Sequence, residues 1–195
     1  MKKIVVSILC LLLLGSGAFA LDKAAGGGVL VGGTFQGGGV PEIPGATWTF
    51  DRTSFGGFGF FSLSQYVEFN LAFMYKTGEA SITYQGETWK STKAEDGVPQ
   101  PTTALGIGMY GKYPIPISDR FVFFPTGGVD FELNFEEYWW NDLWIRGGVG
   151  IDFFFSDAFF LRGHVIYGAA IPLGGELEPK VGHGFLAKAG LGFMF

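Results

Sequence analysis

The chain has 195 residues, a formal net charge of −5, 33 glycines and 17% aromatic residues. That is a single-domain length, and with no basic run to hold a phosphate backbone it excludes a nucleic-acid binder. The one cysteine, Cys10, lies in the N-terminal apolar run.

Lys2 and Lys3 precede an apolar run from Ile4 to Leu14, and "GSGAFA" follows with Ala18 and Ala20 at the small-residue positions of a cleavage site. This pattern predicts a secretory signal peptide over 1–20, removed after Ala20, and a single domain over 21–195. The run is too short to cross a bilayer as a helix. The predicted mature chain has no thiol, so disulfides, thiolate metal sites and cysteine nucleophiles fall away. Outside the leader no apolar run is long enough for a membrane helix.

Beyond the leader, apolar residues recur with period two. In "YVEFNLAFMYK", Val67, Phe69, Leu71, Phe73 and Tyr75 share one face. Eight such segments are predicted: 28–38, 54–62, 66–77, 103–115, 121–135, 143–155, 158–171 and 184–195. The glycines of the second predict a bulge, and Pro125 in the fifth predicts a bulge or a later strand start. The connections alternate in length: 39–53, 78–102, 136–142 and 172–183 are long, and 62–65, 116–120 and 156–158 are short. This is the layout of an antiparallel up-and-down transmembrane β-barrel of eight strands, with tight periplasmic turns and longer external loops. A lipid-exposed sheet must close, because an open edge leaves backbone groups unpaired in hydrocarbon.

The charges sharpen the expectation. Glu68, Lys76, Lys112, Asp130, Glu132, Arg146, Asp152, Arg162 and Lys188 all fall on the face opposite the large apolar series. They are predicted to line the lumen as a paired network, with His164 beside Arg162 on the same face. Phe60, Phe124, Phe154, Phe160 and Met194 lie near the short turns and predict an apolar floor. With a turn at Ser156–Ala158, Asp152 faces Arg162 and Phe154 faces Phe160. With the third long loop at 136–142, Glu132 faces Arg146. Eight strands leave room only for side chains or one small ligand. The two readings of the lumen are structural fill and a charge-lined path.

Other motifs carry less. "GIGMYG" at 106–111 matches a dinucleotide fingerprint, but that chemistry needs a strand-to-helix turn and these residues continue as a strand. A lipid-modifying enzyme would need His183 near a serine such as Ser81 or Ser91, and nothing in the sequence brings them together. No cofactor, catalytic or metal site is predicted. Trp48, Phe50, Trp89, Tyr138, Trp139, Trp140 and Trp144 are read as loop aromatics, forming a rim girdle or an adhesive surface. The polar second loop is the best place for external contacts.

The last strand reads "GFLAKAGLGFMF", with Ala187, Ala189, Leu191, Phe193 and Phe195 alternating up to a terminal aromatic. In this, and in strand count and turn pattern, the whole mature chain resembles the small eight-stranded outer-membrane barrels of the OmpA/OmpX type. The resemblance implies that Leu191, Phe193 and Phe195 are read by the barrel-assembly machinery. It also implies a bare barrel, with no periplasmic peptidoglycan-binding domain. The OmpW-type barrels, thought to pass small hydrophobic compounds, are similar in architecture. The expected protein sits among the lipids of the outer membrane of a double-membraned bacterium and is not an enzyme. It has a structural or surface-interaction role toward an external ligand or host surface. The alternative is a narrow channel for small solutes. A soluble exported barrel holding a lipophile would need the opposite arrangement, with apolar residues inward and charges outward.

Overall fold

The computed structural model describes residues 23–39, 43–92, 101–135, 141–173 and 181–195. The predicted leader and Tyr138, Trp139 and Trp140 lie outside them. The described strands are β1 (Ala24–Gly39), β2 (Thr47–Ser64), β3 (Val67–Tyr84), β4 (Glu87–Ser91), β5 (Thr102–Lys112), β6 (Ile115–Pro116), β7 (Phe121–Asn134), β8 (Asn141–Phe154), β9 (Phe159–Leu173) and β10 (Gly182–Met194). Eight of them close a ring, β1–β2–β3–β5–β7–β8–β9–β10, in which β10 pairs back onto β1. Every pairing is antiparallel. β4 folds back onto the end of β3 as a hairpin, and β6 lies on β7.

Following partners once round the ring defines its stagger. Ala25 pairs with Phe61, then come Phe69, Met109, Val129, Ile145, Ala169 and His183, and the path re-enters β1 at Phe35. The path lands ten residues beyond its start. With ordinary strand spacing and rise, that stagger tilts the strands by roughly 40° and leaves a narrow interior.

Side chains alternate in and out without a slip. Even-numbered residues point inward on all eight ring strands, and the outward series carries Val29, Phe55, Leu71, Phe73, Ile145, Val165, Leu191 and Phe193, all exposed. Exposed apolar side chains on every wall cannot face water, so this band faces lipid.

The three short turns share one device. Ser64, Ser118 and Ser156 each accept backbone N–H bonds at Oγ from two and three residues on: Tyr66 and Val67, Arg120 and Phe121, Ala158 and Phe159. A serine hydroxyl mimics a backbone acceptor and closes the turn locally. The β3–β4 turn uses positive φ instead, 52° at Gln85 and 85° at Gly86, the pairing of a type I′ hairpin.

Several expectations are corrected. β2 has an unbroken register with β1 through its glycines, and the one irregularity with β3 lies at Ser62–Ser64. Pro125 produces no bulge. Its register with Val149 is regular and its carbonyl accepts from Tyr113 N, 3.0 Å. The missing amide faces that same side, where β5 gives way to β6, so it interrupts no continuous ladder. Glu132 faces Asp142 rather than Arg146, and Arg146 faces Gly128. Asn141 and Asp142 belong to β8, so the hairpin is tighter than their polarity implies. Asp152 does face Arg162, and Phe154 faces Phe160.

The seam between β1 and β10 depends on small residues. Gly28 lies opposite Gly190, and a Cβ there would sit 2.8 Å from the Ala189 carbonyl carbon. Gly59 has nothing nearer than the Gly26 carbonyl oxygen at 3.7 Å. Gly28→Val is therefore expected to lower the urea unfolding midpoint in detergent by the equivalent of about 2 kcal/mol, while Gly59→Val leaves it near the parent value.

Candidate functional site: the charged lumen

The lumen is built in layers from the even-numbered residues. At the short-turn end, Phe154 packs on Phe160, 5.1 Å between centroids, and Phe60 on Phe160, 6.1 Å. Met194 packs against the same cluster. These rings form the apolar floor.

Above it Glu68 is the hub. Its Oε2 accepts from Lys112 Nζ at 3.0 Å, from Arg162 Nη1, and from Ser62 Oγ at 3.4 Å, while Oε1 accepts from Asn70 at 2.9 Å. Arg162 also grips Asp152 through Nε and Nη2, both 2.7 Å, a bidentate fork. Its guanidinium is 4.2 Å from the Phe60 centroid and 5.0 Å from that of Phe124. Lys188 has a different environment. Its ammonium donates to Asn70 Oδ1 at 2.9 Å and lies over the faces of Phe58 and Tyr110. His164 lies between the Tyr110 and Phe124 rings, with centroids 6.1 and 5.8 Å away.

A second cluster centres on Glu132, which accepts from Lys76 at 2.6 Å and from Arg146 Nη2 at 2.8 Å. Arg146 Nε lies 2.9 Å from Asp130 Oδ2, close as charges but not aligned as a hydrogen bond. Tyr110 donates its hydroxyl to Asp130. The Arg146 guanidinium stacks 3.7 Å above Trp144, which is 1% exposed. Higher still, Arg52 Nη1 donates to Asp142 at 2.7 Å. Phe50, packed with Trp48 and Ala80, is the next inward residue of β2 beyond Arg52.

Two of these links cross the full barrel. Glu68 on β3 reaches Arg162 on β9, and Arg52 on β2 reaches Asp142 on β8, in each case the strand opposite in the ring. The space left between Asn70, Met74, Glu132 and Lys188 is only about 10 Å³, room for about one water. Gly108 and Gly150 open no passage, because a Cβ on either would run into the Asp130 carboxylate or the Phe124 ring.

No family model and no curated protein sequence matches the chain. Solved structures do. The outer membrane protein OprG of Pseudomonas aeruginosa superposes with a TM-score of 0.55 at 13% identity, over 92% of this chain and 98% of that one. The fold is that of a bacterial outer-membrane β-barrel. The outer membrane protease OmpT of Escherichia coli aligns at TM-score 0.39 and 8% identity, over 92% and 100% of the two chains. The translocator domain of the autotransporter NalP from Neisseria meningitidis aligns at 0.28 and 14%, over 100% and 96%.

In this outer-membrane barrel all ten lumen residues named from sequence point inward, and all but Lys112 are buried. Glu68, Lys112, Asp152 and Arg162 meet in one cluster, and Lys76, Asp130, Glu132 and Arg146 in another. Lys188 joins the first cluster only through Asn70. Arg52 and Asp142 were missed, although the even parity of β2 and β8, carried two positions further, finds both. Phe50 and Trp144 are not rim aromatics: both are buried and point into the barrel, while Trp48 lies half-buried on the inward face of β2 near its end. Trp89 is exposed on β4. His183 points outward, with its Nδ1 2.7 Å from the Tyr167 hydroxyl. Ser81 is taken up by Thr49 Oγ1 at 2.6 Å, and β1 and β2 separate its strand from β10. Leu191, Phe193 and Phe195 are exposed on the outward face.

Removing one partner of a buried pair leaves an uncompensated charge. Glu68→Ala strands Lys112 and leaves Arg162 to Asp152 alone, and is expected to cost about 3 kcal/mol in equilibrium unfolding from lipid vesicles. The external pair Lys90–Glu79, 2.7 Å apart and open to water, is the control. Its hydrogen bond to the Glu79 carboxylate holds the Lys90 ammonium above its ordinary pKa. Lys90→Ala should leave the unfolding midpoint unchanged, as exposed pairs contribute little.

Proposed function

We propose that this protein is a closed barrel resident in the outer membrane, with a non-enzymatic structural and surface-interaction role. The observation that carries the reading is the filled lumen. Its charged side chains are tied across the barrel, and the void between Asn70, Met74, Glu132 and Lys188 holds about one water. An ion crossing it would have to displace the salt bridges that link opposite walls, Glu68 to Arg162 and Arg52 to Asp142.

The contact surface in this reading is the sheet that β2, β3 and β4 raise beyond the lipid-facing band. Trp48, Ile82 and Trp89 are register partners across its three strands, and Ile82 and Trp89 are 46% and 54% exposed. An exposed apolar row of this kind suits an external ligand or a host surface. A serine–histidine mechanism has no support, since the Ser81 hydroxyl and His183 Nδ1 are engaged elsewhere. The barrel-assembly machinery, reading Leu191, Phe193 and Phe195, is the proposed partner during insertion.

Planar bilayers separate the closed barrel from the channel. The parent protein is expected to give no conductance above the lipid background. Reproducible single-channel steps from the folded parent protein, with a conductance that changes in Glu68→Ala, would refute the closed reading.

A further inference from the structure

The polarity of the wall inverts along β2 and β3. Up to Phe55 and Tyr75, which face each other across the two strands, the outward residues are apolar: Val67, Phe69, Leu71 and Phe73 on β3, and Phe61, Gly59 and Gly57 on β2. From the next outward pair, Thr53 and Thr77, those of β2, β3 and β4 are polar to the end of the sheet. The rungs on these three strands are Thr53–Thr77, Asp51–Glu79, Thr49–Ser81–Lys90 and a row of three threonines from Thr47 through Thr83 to Thr88, and β1 adds the exposed Phe35 beside Asp51. Thr49 and Ser81 share a hydroxyl hydrogen bond of 2.6 Å, and Thr83 and Thr88 one of 2.9 Å. The inner face over the same span is Trp48, Phe50, Ala80, Ile82 and Trp89.

We propose that this outer face docks on the saccharide headgroups of an outer-leaflet glycolipid. The inference rests on the outer-membrane reading and on the long connections being external. Its first support is continuity: the hydroxyl face extends the lipid-facing wall directly, on the same side of the same strands. The molecules that cover the wall below Thr53 carry their headgroups past the rungs above it. Its second support is chemistry. A threonine offers one hydroxyl, donor and acceptor, beside one methyl, which matches the alternating OH and CH surface of a sugar. The face is not built for phosphate. Its one fully acidic rung, Asp51–Glu79, repels anions, and its one cation, Lys90, is spent on Glu79.

The test uses single cysteines in a Cys10→Ser background, each variant first checked for heat-modifiable folding. Thr49→Cys and Thr83→Cys report the outer face, and Ile82→Cys the inner one. Maleimide labelling is timed in vesicles of phosphatidylcholine alone, with added lipid A, and with added glycolipid bearing a complete core oligosaccharide. The two outer-face cysteines are expected to slow about fivefold with the core-bearing glycolipid, the scale of one net hydrogen bond, while Ile82→Cys is unchanged. Equal outer-face rates in phosphatidylcholine and in the core-bearing vesicles would overturn the proposal. So would equal slowing on both faces, which is crowding, or full slowing with lipid A lacking core sugars, which assigns the contact to the phosphorylated base. No slowing in any folded variant would overturn the docking surface while leaving the closed-lumen reading to the conductance test.

Discussion

Backbone amides that face hydrocarbon have no partner but another strand, and in this chain β10 finds that partner in β1. The closure sets the remaining dimensions. A ring of eight strands with a ten-residue stagger has a fixed tilt and a fixed, small radius. The inward side chains then have to fill that interior at protein density. Glycine enters where filling and closure compete, at Gly28 against Gly190 along the seam and at Gly150 beneath the Phe124 ring. Neither position tolerates a side chain without moving backbone or an aromatic ring.

The narrow radius decides what the charges do. Salt bridges buried away from water recover their desolvation cost only when geometry and hydrogen bonding are near complete. Here Glu68 receives four donors, and Arg162 is held by two carboxylates and walled by aromatic rings. Such pairs add little over an apolar core in net stability. They do add register. A one-residue slip on a strand that carries an inward charge, as every ring strand but β1 does, turns that charge outward, at a cost of roughly 2–4 kcal/mol for an Arg or Lys at the bilayer midplane. Charges that bind opposite walls, as Arg52 does to Asp142, penalise every such slip at once.

The same arithmetic explains what was legible in the sequence. Period two and the exclusion of charge from one face gave the strand number, the inward parity, the set of lumen charges and the Asp152–Arg162 pair. The strand ends were not legible, because the outward apolar face that marks a strand stops where lipid stops. Beyond Phe55 and Tyr75 the strands continue in water with their polarity reversed, so 47–53 and 78–84 read as loop. Trp48 and Phe50 looked like rim aromatics for the same reason. Asp142 looked like a loop residue because a lone carboxylate at a strand end is ordinarily solvated. Only the position of Arg52 across the barrel shows that it is buried, and that distance in space has no signature along the chain. Misreading Asn141 and Asp142 as loop also displaced the β7–β8 register and put Arg146 opposite Glu132. The two still meet, because a guanidinium can reach along the lumen diagonally where the backbone partner does not.

One consequence follows from placing both polarities on a single pair of strands. β2 and β3 are amphipathic twice over, with the faces exchanged at the level of Thr53 and Thr77. Below that level the interior is polar because the exterior is oil. Above it the interior is aromatic because the exterior is wet. The exchange makes Phe50, 3% exposed, the next inward residue of β2 beyond Arg52, while Phe154 and Phe160 pack at the opposite mouth. Between these two aromatic layers most of the charges are buried, and low exposure strengthens a pair by lowering the effective dielectric around it. Lys112, near the floor, is the partly exposed exception. Admitting water at either end would weaken the cross-links between opposite walls and loosen the register that they hold.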